Sequence, residues 1–281
     1  KYNIYSKLIN FKDYGVPSSR PRTLVVGTLK SIKNMSPLNI FPSTEPPINI
    51  RDVICDLPKL EWGEIDNKDL YHAFRVYPEY MRSWISNIKE GLSAFQNDDA
   101  HLPYKLVNGE KVPLKGAYLG NKFKRMEWDK PAPCIATRND QLASQSTIHP
   151  TQDRVLSIRE LMRVMSIPET FKWTEEKPDN NWTYEKKRKF LRKNALNIRR
   201  SIGEADPTEI FRKMAQNIHT ILDYVDYVDG NLKYDDKIKK NFYIESLIEE
   251  KKIMNPHDTG SFYTPHLQIT TPLDTLAFGL I

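Results

Sequence analysis

The spacing of apolar positions changes several times along the chain. Residues 23–27, TLVVG, form a short β-branched apolar run closed by glycine, which predicts a buried strand. Residues 31–60 are rich in Pro, Asn and Ser and read as an irregular connection. Phe74, Val76, Tyr77, Tyr80, Trp84, Ile85 and Ile88 predict a helix after Pro78, within 74–95. Turn signals separate short strand-like pieces over 101–150, among them CIAT at 134–137.

Two helices then carry clear start signals. Ser157 and Glu160 make a capping box. Ile158, Leu161, Met162 and Met165 follow it as one stripe, and Pro168 stops the helix. The second helix has Asp206 as its cap, Pro207 at its first position and Glu209 in its first turn. Its stripe is Phe211, Met214, Ala215, Ile218 and Leu222. The basic stretch EKKRKFLRKNALNIRR lies between them and suits either a solvated helix face or phosphate contact. Residues 223–281 read as a charged tail with a short apolar end.

Composition narrows the class. At 281 residues, with 39% hydrophobic and 28% charged positions, the chain can bury a sizeable core. It holds no apolar run of membrane-spanning length. The net charge of +6 permits a polyanionic partner without requiring one. Two cysteines, Cys55 and Cys134, are too few for a disulfide scaffold or a cysteine-rich zinc site. A reducing, cytoplasmic setting is therefore expected. The first residue is Lys1, which raises the expectation of a piece of a longer polypeptide.

Two arginines, Arg20 and Arg22, stand directly before the 23–27 strand in YGVPSSRPRTLVVG. Alone they read as solvated loop side chains. Two later segments change that. RVLSIRELMRVMSIPETF spans 154–171 and SIGEADPTEIFRKMAQNI spans 201–218. In order, the three segments resemble the eighth, ninth and tenth motifs of DNA (cytosine-5) methyltransferases. FKRMEWDKPAPCIATRND at 123–140 is similar to the lead-in to the ninth. The resemblance covers about 200 residues.

The resemblance implies an α/β fold: the C-terminal part of a Rossmann-like S-adenosylmethionine-dependent methyltransferase domain, with an inserted mixed α+β target-recognition domain. Residues 1–30 would end the catalytic domain and 31–150 would be the target-recognition domain. Residues 151–222 would supply the return helices, and 223–281 a C-terminal extension. The implied reaction moves a methyl group from S-adenosyl-L-methionine to C5 of a cytosine flipped out of double-stranded DNA. A restriction–modification system is the implied setting.

Arg22 corresponds to the arginine that contacts the cytosine O2, where negative charge develops and a fixed guanidinium stabilises it. Arg20 corresponds to one that organises the catalytic loop and a nearby phosphate. Gly203, Glu204 and Ala205 correspond to the turn that closes the cofactor site. Lys122, Lys124, Arg125 and Arg138 are candidates for DNA contact. Arg159, Glu160 and Arg163 read as structural.

The chain departs from the family pattern in places. Ser18 stands where Gln is common, Glu204 where Asn is common and Asp206 where Val is common. Neither cysteine lies in the Pro-Cys-Gln context of the nucleophile, and both read as small buried or half-buried residues. Most of the cofactor site would lie elsewhere. The missing N-terminal catalytic half is therefore an expected partner, joined in cis or as a separate subunit. The competing expectation is a DNA-binding specificity module without chemistry, either a split subunit or a decayed copy. TGSFYTP at 259–265 is faintly similar to the opening of adenine-methylating restriction enzymes. The recognised DNA sequence is not legible.

Overall fold

A computed structural model describes residues 1–30, 36–115, 120–228 and 276–280. The 259–265 segment and most of the expected 223–281 extension lie outside the described residues. In chain order the strands are β1 (Tyr2–Asn10), β2 (Pro21–Leu29), β3 (Tyr104–Val107), β4 (Glu110–Pro113) and β5 (Leu276–Leu280). The α-helices are α1 (Ile50–Ile54), α2 (Arg82–Ile85), α3 (Ile158–Val164), α4 (Tyr184–Glu204) and α5 (Thr208–Val228). Contacts divide the chain into two units.

The first unit comprises residues 1–10, 21–44 and 209–281. Its sheet has the order β1-β2-β5, and both pairings are antiparallel. The predicted 23–27 strand lies at the centre of β2. Tyr5, Lys7 and Ile9 oppose Val26, Leu24 and Arg22, and buried Ile9, Leu24 and Val26 mark the core face. The other face of β1 carries Tyr2, Ile4 and Leu8, which remain exposed, Ile4 at 68% and Leu8 at 73%. No two named strands among the described residues pair in parallel.

The second unit comprises residues 11–20 and 45–208. One core cluster joins Ile50, Leu70 and Met126 to Ile158, Leu161 and Met162 of α3 and to Phe190, Ile198 and Ile202 of α4. Another joins Phe74, Tyr77, Trp84 and Ile88 to Phe123, Leu142, Ile148 and Val155. Both clusters mix residues from before and after position 150. The hairpin β3-β4 turns at Asn108 and Gly109, both at positive φ, as a two-residue primed turn requires.

Several expectations need correction. The helix over 74–95 shrinks to a 3-10 turn, Glu79–Met81, followed by the four residues of α2. Phe74, Tyr77 and Ile88 fill the second cluster from loops and Trp84 and Ile85 from α2, whereas Val76 is exposed, so tertiary burial rather than one helix set the spacing. CIAT forms no strand; its neighbour Ala132 makes only an isolated bridge to Ser18. α3 ends at Val164, before Pro168, with Ser166 at positive φ. α5 starts at Thr208 rather than Pro207. The basic stretch is a helix, α4, whose buried side includes Lys187, Phe190, Ile198, Arg199 and Ile202.

Candidate functional site

Arg20 lies in the second unit and is 3% exposed. Its Nε donates to Asp206 Oδ1 at 3.1 Å. Nη1 donates to the Ile135 carbonyl at 3.1 Å and to Cys134 Sγ at 3.4 Å, and Nη2 donates to the Gly203 carbonyl at 3.3 Å. One guanidinium therefore fastens three segments that are far apart in sequence. Ser18 assists: its hydroxyl donates to the Pro133 carbonyl at 3.2 Å, filling the place where the family often has Gln. Asp206 is the ion partner of Arg20.

Gly203 makes this arrangement possible. A Cβ there would lie 2.4 Å from the Ala136 carbonyl oxygen and 2.6 Å from Thr137 Cα. The backbone of its own chain, at Ala136 and Thr137, fills that space and by itself accounts for the glycine. Gly203 and Glu204 are also the last residues of α4 rather than part of a turn. Glu204 is exposed and accepts from Arg200 Nε at 2.8 Å. Ala205 closes the helix by donating its N–H to the Ser201 carbonyl.

Arg22 belongs to the first unit. It is half-buried in β2, opposite Ile9 and on the same sheet face as Leu24 and Val26. Its Nη1 donates to the Pro21 carbonyl at 2.7 Å.

Among the DNA-contact candidates, Arg125 is corrected. It is 4% exposed and all five of its N–H groups are engaged within the chain. They reach the carbonyls of Ile88, Ile85, His149 and Gln152, and Asp153 Oδ1 at 2.7 Å. Arg125 is a buried strut with no donor left for a phosphate. Lys122 and Lys124 are half-buried, and bridges to Gln145 and Ser93 fix their backbones. Arg138 is exposed and meets Asp140 through Nε at 3.0 Å.

The ninth-motif residues hold the fold, as the sequence implies. Glu160 caps α3 and takes both terminal nitrogens of Arg154 at 2.7 Å. Burial alone would push its carboxyl up, but the Arg154 guanidinium overrides this and holds it at about 2. Arg159 pairs with Asp69, and Arg163 with Asp56 and Glu169. His149, beside this pair, accepts two backbone N–H bonds at Nδ1, from Thr151 and Gln152. Burial, against the pull of Glu160 and helped by the nearby Arg154 and Arg125 charges, keeps the ring neutral and lowers its pKa to about 3. Cys134 is half-buried as expected, whereas Cys55 is exposed, because it caps the C-terminal end of the short α1.

Four residues escaped the sequence reading. Asn139 and Arg199 clasp each other. Asn139 Nδ2 donates to the Arg199 carbonyl at 2.8 Å, and Arg199 Nη1 donates to Asn139 Oδ1 at 3.1 Å. Burial lowers the Arg199 pKa to about 10. Arg75 and Asp140 meet beside this clasp. No periodicity marks them; the only signal was polar density in ATRND.

The family model of C-5 cytosine-specific DNA methylases matches residues 1–220. The chain belongs to the C-5 cytosine-specific DNA methylase family. Within it, the chain is 28% identical over 227 residues to a Type II methyltransferase, M1.HgaI, of Avibacterium volantium, covering 78% of this chain and 56% of that protein. It is 26% identical over 226 residues to a Type II methylase, M.HgiDII, of Herpetosiphon aurantiacus, covering 79% and 57%. A solved structure of a putative DNA modification methyltransferase encoded within an E. coli prophage aligns with TM-score 0.47 at 12% identity, covering 79% of this chain and 61% of that one. The chain spans a little over half the length of the curated relatives it matches. Among the described residues no helix is long and apolar enough to cross a membrane, and no group of side chains forms a metal site.

Proposed function

We propose that this chain is the C-terminal part of a DNA cytosine-5 methyltransferase of a restriction–modification system, acting on double-stranded DNA in the cytoplasm. One observation carries the reading: the Arg20 guanidinium of the eighth-motif segment holds Ile135, in the lead-in to the ninth, together with Gly203 and Asp206 of the tenth. Arg22, just after Arg20 in the chain, is the residue we assign to the base edge. Its fixed positive charge would stabilise the negative charge that builds on the cytosine ring during attack.

S-adenosyl-L-methionine supplies the methyl group when bound. Glu204 and Ala205, next to the clamp, are the residues of this chain assigned to close over it. Residues 31–150 are assigned to target recognition, with Lys122, Lys124 and Arg138 toward the DNA. This assignment concerns function, since in packing the segment shares the first core cluster with α3 and α4. Residues 1–30 and 151–222 are assigned to the catalytic domain and 223–281 to an extension. We assign the nucleophilic cysteine, most of the cofactor site and the parallel, Rossmann-like part of the sheet to the remaining catalytic half, in cis or as a separate subunit. The exposed apolar face of Tyr2, Ile4 and Leu8 on β1 supports that assignment, because such a face is normally covered.

Transfer of a labelled methyl group to duplex DNA tests the reading. This chain alone should transfer none, and the chain joined to its catalytic half should label cytosine C5. Transfer by the isolated chain would refute the placement of the nucleophile. No transfer by the joined protein would leave a DNA-binding module.

A further inference from the structure

Arg75 and Arg138 are 63 residues apart in sequence and converge on one carboxylate. Arg138 Nη2 and Arg75 Nη2 both reach Asp140 Oδ2, at 3.5 and 3.7 Å. Arg138 Nε adds a bond to Oδ1, and Arg75 Nη2 donates to the Asp140 backbone carbonyl at 2.9 Å. The carboxylate is only 11% exposed, whereas each arginine side chain is 57% exposed. The anchor is therefore inside and the remaining donors are outside.

The support is rigid. Asn139, between Arg138 and Asp140, is 2% exposed and locked to α4 through Arg199. The Arg75 guanidinium also lies over the Tyr77 ring, 5.2 Å from its centroid, and the Tyr77 hydroxyl donates to the Asp140 carbonyl. Charge does not balance here. Arg75 and Arg138 share the single carboxylate of Asp140, which leaves a local surplus of positive charge. Two planar forks at a protein surface, with donors to spare, match the oxygens of a phosphodiester.

We infer that Arg75 and Arg138, anchored on Asp140, form a fork that grips a backbone phosphate of duplex DNA. The inference rests on duplex DNA being the substrate and adds Arg75 to its binding surface. The fork positions the duplex and reads no sequence.

The test is fluorescence anisotropy of the 281-residue chain with two labelled duplexes of unrelated sequence, from about 50 to about 200 mM salt. Arg75→Gln with Arg138→Gln should weaken binding about tenfold at low salt, equally for both duplexes. It should also lower the slope of log affinity against log salt by about 1 to 2. Arg75→Lys with Arg138→Lys should keep the slope, since the charge remains, and bind more weakly, since the fork is lost. This pair also serves if the Gln pair melts early. An unchanged slope in the Gln pair, with wild type binding both duplexes, overturns the fork and leaves the DNA reading intact. A loss confined to one duplex also overturns it, because that would mean base contact. Failure of the wild type to bind either duplex overturns the DNA reading and the fork with it.

Discussion

Replacing Arg20 by Met tests the clamp. Met fills much of the same volume but donates nothing. It would leave Asp206 without the partner that Arg20 Nε provides, and would remove a donor from each of the Ile135 and Gly203 carbonyls. The Asp206 side chain is 12% exposed, so water restores little. Removing one member of a buried pair costs about 3–5 kcal/mol, much of it from the charge left behind. With a urea slope of about 2 kcal/mol per M, the lower figure moves the unfolding midpoint of the second unit down by about 1.5 M. Trp84, Trp128 and Trp173 lie in or against that unit's cores, so tryptophan fluorescence follows its unfolding. Adding Asp206→Asn should recover about half the loss, because the carboxylate that lost its Arg20 partner is neutralised while the two carbonyls stay short of a donor. If Arg20→Met unfolds within about 0.3 M of wild type, Arg20 is not the buried clamp described here.

Two further outcomes follow from packing and titration. Gly203→Ala gains about 1 kcal/mol of helix propensity but drives a methyl group into the Ala136 backbone, which Arg20 and Asn139 pin. Overpacking of this kind costs about 1–3 kcal/mol, so the melting temperature should fall; a rise would show that the 132–140 segment yields freely. His149 has a folded pKa of about 3, below its unfolded value of about 6.5. Between those values the unfolded chain binds the extra proton, so stability drops as pH falls through that window, by up to about 1.4 kcal/mol per pH unit. Urea midpoints from pH 7 to pH 4 should show the drop. His149→Asn, which keeps an acceptor for the Thr151 and Gln152 N–H groups, should flatten it; equal slopes in both proteins would rule out His149 as the titrating group.

Legibility followed locality. The capping box of α3 and the β2 strand could be read because propensity, period and cap lie within a few residues of one another. The apolar residues over 74–95 misled because residues gathered by a loop-built core need no single period. Arg20 and Arg22 were found through resemblance, yet nothing local separates a buried strut from a side chain in the sheet face; that difference comes from partners more than 100 residues away. Arg125 misled for the same reason. An arginine in a polar stretch reads as surface until its five acceptors are known. The Arg75–Asp140 contact joins positions with no shared pattern and becomes visible only in three dimensions.

Arg22→Ala in the chain joined to its catalytic half, scored for turnover and for duplex affinity side by side, decides whether Arg22 acts at the base edge. Loss of a positioned charge-stabilising donor lowers kcat by about 100- to 1,000-fold. A fall of that size is expected, with DNA affinity and melting temperature close to wild type. A variant that binds DNA weakly but turns over normally once saturated would contradict it and make Arg22 a phosphate contact.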